Sequence, residues 1–160
     1  MSGTQRAEQT GVERCMTGLR GDAWLGFLKA HSTVVKALDA DLIARHGLPL
    51  SAYEVLLRLA LSEQGYLRMS DLAQQALLSQ SRISRLVDQL CTQGLIERTP
   101  CESDSRVVYA TITDAGRARL EQAEVTHSAV LEGRFFERLS DADLERLARI
   151  WSQILAPARG

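Results

Sequence analysis

Apolar residues fall at helical spacing along most of the chain, with one stretch in which the period changes. Trp24, Leu28, Val35, Leu38 and Leu42 recur at three- and four-residue steps, with His31 in the missing position. This predicts a long helix that stops at His46-Gly47. A second helix opens at Ser51, where Glu54 three residues on completes a capping-box pattern. It buries Val55, Leu56, Leu59 and Ala60, and Gln64-Gly65 ends it. Tyr66 to Met69 reads as an extended link. A short helix from Ser70 to about Leu77 turns Leu72, Ala73 and Ala76 inward.

Ser79 caps a fourth helix, Gln80 to Gln93, which Gly94 stops. The period then shortens. Leu95 to Thr99 and Val107 to Ile112 read as two strands, and the turn-rich Pro100-Cys101-Glu102-Ser103-Asp104-Ser105 between them predicts a β-hairpin. Thr113 and Asp114-Ala115-Gly116 open a long helix to about Leu139. The last helix begins at Ser140-Asp141-Ala142-Asp143, with carboxylates in the first turn where the helix dipole favours them. Leu144, Leu147, Trp151, Ile154 and Leu155 form its apolar stripe. Long stripes on the first and last helices suit an interface with a partner.

Composition narrows the class. A chain of 160 residues has single-domain length. Residues 1–21 are polar and unpatterned and read as a mobile arm, leaving 22–160 as one domain. No apolar run approaches the roughly 20 residues that cross a bilayer, and no signal-peptide core precedes the domain, so a cytoplasmic protein is expected. Three scattered cysteines make neither a disulfide framework nor a zinc site. His31, His46 and His127 lack metal-ligand spacing, and no phosphate loop or nucleophile elbow is visible. The expectation is a non-enzyme without metal or cofactor. A formal net charge of −1 lends nucleic-acid binding no support from bulk charge, so that function must rest on local geometry.

Local geometry supplies it. A short helix, a tight connection, a second helix and a hairpin form the winged helix-turn-helix device, in which the second helix enters the major groove. On the fourth helix Ile83, Leu86, Val87 and Leu90 lie at i, i+3, i+4 and i+7 and form a buried stripe. Opposite them stand Gln80, Ser81, Arg82, Ser84, Arg85 and Gln89, after the capping Ser79. Arginine pairs with guanine and glutamine with adenine, and no carboxylate precedes Asp88 to repel phosphate. The plain alternative is a solvated polar helix face.

The stretch from Ser70-Asp71-Leu72-Ala73 through Ser81 to Leu90, Gly94-Leu95-Ile96-Glu97-Arg98, Asp104-Ser105-Arg106 and Thr111 to Gly116 resembles the MarR family, over about residues 22–156. The resemblance implies a mainly α winged-helix homodimer with a small β-hairpin wing. Residues 22–46 and 113–156 would form the dimer lobe, and 51–112 the DNA-binding lobe. It implies a ligand-responsive repressor of a near-palindromic operator in double-stranded DNA. Asp104 and Arg106 match the family's wing Asp-x-Arg, with Arg106 entering the minor groove; an ordinary surface ion pair is the alternative. Arg98 would contact the DNA backbone or support the wing.

Family members commonly release DNA on binding a small aromatic or phenolic anion. Trp24, Phe27, His31 and Tyr53 are the residues to line such a crevice, with Arg85 or Arg98 as anion partner; core and dimer packing is the competing role. Trp24, Leu67 to Ala73 and Pro100-Cys101 are similar to the urate-responsive branch. Thiol sensing, known among relatives, would fall to Cys15 or to Cys101 in the wing turn, although neighbouring carboxylates disfavour a reactive Cys101 thiolate. A winged-helix module for protein contacts remains the other alternative, because fold alone does not set function. The discriminator is whether Arg82, Arg85 and Arg106 form one positive surface.

Overall fold

The computed structural model describes residues 17–101, 104 and 107–156. Its elements in order are α1 (Gly18–His46), α2 (Leu50–Leu61), β1 (Tyr66–Arg68), α3 (Met69–Gln75), α4 (Gln80–Thr92), β2 (Ile96–Pro100), β3 (Val108–Ile112), α5 (Asp114–Arg134), a 3-10 turn (Phe136–Arg138) and α6 (Asp141–Ile154). No helix among the described residues is long and apolar enough to cross a membrane.

Helix α1 begins at Gly18, so residues 18–21, read above as arm, belong to it. It ends as expected. Gly47 takes the left-handed conformation (φ 60°), and its N–H reaches the Ile43 carbonyl, the turn for which glycine carries no Cβ penalty.

The capping box at Ser51 does not form. Helix α2 starts one residue earlier at Leu50, with Pro49 as N-cap and no side-chain cap of its own. The missing acceptor comes from α1 instead: the Asp39 carboxylate accepts the Leu50 N–H at 2.9 Å. This bond ties the two helices together, and a cap donated across the fold leaves no local signature in sequence.

Tyr66 to Arg68, read as a link, is a strand. β1 pairs antiparallel with β3, Leu67 opposite Ala110, and β2 pairs with the other edge of β3, Arg98 opposite Ala110. The hairpin is therefore part of a three-stranded sheet of order β1-β3-β2. Helix α5 is shorter than its apolar pattern suggests: it stops at Arg134, where Phe135 leaves helical geometry (φ −129°, ψ −62°). Its start follows the sequence, with the Thr113 hydroxyl accepting the Gly116 N–H at 3.0 Å.

One core joins the elements. Leu38, Leu42 and Leu48 from the α1 end, Val55, Leu56 and Leu59 from α2, Leu72 from α3, and Ile83, Val87 and Leu90 from α4 are buried together. Ile96, Ala110 and Ile112 of the sheet and Leu120 and Ala123 of α5 complete it. Each fully buried Leu, Ile or Val contributes on the order of 1.5–3 kcal/mol. The far end of α1 and all of α6 behave differently. Leu19, Trp24, Phe27 and Leu28 are exposed on α1, and Ile150, Ile154 and Leu155 on α6, which buries none of its residues. Phe27 and Trp151, with ring centroids 5.3 Å apart, are one contact between these helices.

Gly116 shows why the turn into α5 needs a glycine. A Cβ there would collide with the Leu95 carbonyl oxygen and lie 2.8 Å from Ile112 Cγ1. Gly116→Ala is expected to destabilise the fold by about 1–3 kcal/mol, as overpacking of a close approach does. Urea unfolding measures it; an unchanged midpoint would contradict the packing described.

Candidate nucleic-acid interface

Helix α4 is built as an amphipathic rod. Ile83, Val87 and Leu90 are at most 1% exposed, and Leu86 is half-buried beside them. The opposite face carries Gln80, Ser81, Arg82, Arg85 and Gln89, all exposed. Ser79 acts as the N-cap, its hydroxyl accepting the Arg82 N–H at 3.3 Å. That oxygen serves the helix, leaving the residues after it to face outward. Among the described residues, no ion pair or hydrogen bond engages the guanidinium of Arg82 or Arg85. Both guanidiniums stand in solvent with their donors uncommitted, the condition for bidentate recognition of guanine or phosphate.

Arg98 has another role. From β2 it reaches back to α4, pairing with Asp88 at 3.1 Å and donating to the Ser84 carbonyl at 3.0 Å and the Ser84 hydroxyl at 3.1 Å. Of the two roles expected for it, the geometry fits support of the wing. Two hydrogen bonds and an ion pair link the wing to α4, and they engage Ser84, which is half-buried.

The wing turn is closed by Val107 N–H to the Asp104 carbonyl and Cys101 N–H to the Val107 carbonyl, both 2.9 Å. Asp104 is half-buried, and so is Cys101. Arg106 and Cys15 lie outside the described residues. Cys91 is half-buried, and burial pushes its thiol pKa up, with Asp88 and Glu97 adding to the shift against the opposing Arg98. A raised thiol pKa disfavours the reactive thiolate.

The residues considered for an effector crevice divide into two places. Trp24, Phe27 and His31 form a row on α1, with ring centroids 5.9 Å and 6.1 Å apart, and Phe27 meets Trp151 of α6. Tyr53 sits elsewhere, buried in α2, its ring stacked on His127 at 4.4 Å and its hydroxyl donating to Glu124. No described ring contact links it to the α1 row.

Tyr53, Glu124 and His127 instead tie α2 to α5. Glu124 also accepts the Ser128 hydroxyl at 2.5 Å, and the hydrogen bonds from Ser128 and Tyr53 hold its carboxyl below the usual range. Nearby, Thr126 bonds the His46 ring at 2.8 Å, and Arg119 donates to the His46 carbonyl at 2.7 Å. The α1 C-terminus is therefore held to α5 as well. Sequence reasoning missed these joints because their partners are 71 to 80 residues apart.

The described elements define a winged helix: α3 and α4 make the helix-turn-helix, and β2 and β3 the wing. The MarR family model matches residues 46–107. Over 91 residues the chain is 32% identical to the HTH-type transcriptional repressor IacR of Pseudomonas putida, an alignment covering 56% of this chain and about half of IacR (53%). AbsC, a MarR family transcriptional regulator from Streptomyces coelicolor, superposes with a TM-score of 0.81 at 31% identity, over 86% of this chain and 93% of AbsC. Sco3205 from the same organism, a MarR family regulator solved in complex with DNA, gives 0.80 at 30% identity, over 89% and 91%. The chain belongs to the MarR family.

Burial lowers the pKa of His127, while Glu124 and Glu54 oppose the shift. Between its folded and unfolded pKa values the unfolded chain binds more protons, so stability falls as pH drops from about 6.5 through that window. Thermal unfolding between about pH 7 and pH 5 is expected to show a steeper fall in Tm for the wild type than for His127→Gln. Equal slopes would remove His127 from the account.

Proposed function

We propose that the chain is a sequence-specific regulator of transcription, a repressor that binds a near-palindromic site in double-stranded DNA as a homodimer. One observation carries this reading. The outward face of α4 presents Gln80, Ser81, Arg82, Arg85 and Gln89, its one exposed carboxylate, Asp88, being paired with Arg98, on a helix whose other face is locked in the core. Such a helix fits the major groove, and the wing held to it by Arg98 extends towards the adjoining minor groove. Arg106 of the wing Asp-x-Arg would enter that groove, where a narrow A·T-rich stretch attracts guanidinium. The DNA-bound relative Sco3205 supports the same use of the fold.

The dimer rests on the apolar faces that the chain leaves open. Trp24, Phe27 and Leu28 on α1 and Ile150, Ile154 and Leu155 on α6 are side chains a second copy would cover. In such a dimer the two α4 helices lie on the order of 34 Å apart, one duplex turn. Control by a small aromatic anion would use the row of Trp24, Phe27 and His31, which borders this interface; Tyr53, buried against His127, is a joint between helices instead. The protein works as a regulator and not as an enzyme, in the cytoplasm with its DNA.

Arg82→Ala and Arg85→Ala are each expected to weaken binding to the operator by about 1–3 kcal/mol and to lose discrimination against random duplex where the side chain reads a base. Fluorescence anisotropy on DNA from upstream of the protein's own gene, beside a random duplex, measures both. Wild-type affinity and discrimination in both variants would remove α4 from the interface.

A further inference from the structure

A helix in the major groove and a wing at the neighbouring minor groove have one sugar-phosphate strand between them, because that strand is the boundary of the two grooves. The strand must pass through the space separating α4 from the wing. The structure has an open cleft of about 620 Å³ there, walled by Gln80, Ser81 and Ser84 of α4 and by Val107 and Val108 of the wing. Its floor comes from the end of β1 and the start of α3, through Arg68, Met69 and Ser70. Among the described residues no carboxylate lines it.

Among the described residues two guanidiniums line this cleft, and they differ in what they already hold. Arg98 is neutralised by Asp88 and bound to Ser84. Arg68 is exposed, and the residue opposite it on β3 is Tyr109, whose side chain is an uncharged phenol. A neutral phenol beside the guanidinium leaves its charge uncancelled. Tyr109 in turn packs edge-on against Tyr66 at 5.1 Å, which holds the phenol in place. Asp71, the carboxylate that acts on Arg68, stands outside the cleft and accepts the Ser70 hydroxyl at 3.1 Å.

We infer that Arg68 binds a backbone phosphate of the DNA strand that runs through the cleft between α4 and the wing, with the Ser81 hydroxyl as a second donor. This rests on the DNA-binding reading above. It assigns to β1 a part in binding beyond completing the sheet. The contact is blind to sequence, since it is made to phosphate.

The test compares wild type, Arg68→Ala, Arg68→Lys and Tyr109→Phe on a random duplex and on the upstream DNA, across a salt series. Arg68→Ala is expected to weaken both DNAs by a similar factor and to reduce the slope of log affinity against log salt by about 1. Arg68→Lys, which keeps the charge, should retain the wild-type slope. An unchanged slope in Arg68→Ala overturns the inference, whether affinity is kept or falls. A loss matched by Tyr109→Phe with no change of slope assigns Arg68 to the sheet alone, and also overturns it. The underlying reading fails separately, if folded wild-type protein binds neither DNA at low salt.

Discussion

Burial of Ile83, Val87 and Leu90 decides what this molecule can present to a partner. These three side chains sit almost wholly out of water against α2, α3 and the sheet, so α4 cannot roll about its axis without exposing them. Rotation by even part of a turn would cost several kcal/mol of lost burial. The polar face is therefore fixed outward, and arginines placed on it keep their position without contacts of their own. Arg98 adds the second constraint. Its contacts with Asp88 and Ser84 tie the wing to the helix in the absence of DNA.

The rest of the chain carries that piece. Helix α1 spans 29 residues, packs on α5 and donates the Asp39 cap to α2, while Tyr53 of α2 is held by Glu124 and His127 of α5. A shift of α5 relative to α1 would therefore be felt at α2, which lies in the same core as the buried face of α4. The open apolar faces lie beyond this joint, on α6 and the first half of α1. The unit that presents α4 and the surface suited to a second copy are thus separate, joined by a small set of polar contacts and the packing around them.

Much of this was legible in sequence where the signal is local. Gly47 and Ser79 ended and began helices as their chemistry requires, Thr113 capped α5, and the last helix began after Ser140 with Asp141 and Asp143 in its first turn. The i, i+3, i+4, i+7 stripe of α4 identified its buried and exposed faces correctly. Features set by distant partners were hidden. β1 has only three residues and exists because β3 pairs with it, and the Ser51 cap was displaced by a carboxylate 11 residues upstream of Leu50. Arg98 and Tyr53 show the same limit at the level of sites. Residue type suggested a ligand contact for each, and carried no sign of the contacts each makes within the fold, to Asp88 and Ser84 and to Glu124 and His127.

The most direct test of the account is a salt titration of binding, with DNA from upstream of the protein's own gene compared against random duplex. The account predicts tighter binding to the upstream fragment, with log affinity falling linearly against log salt as phosphate contacts release counterions. A folded dimer that binds neither DNA at low salt would contradict it, and would leave the exposed face of α4 as a surface for protein contacts.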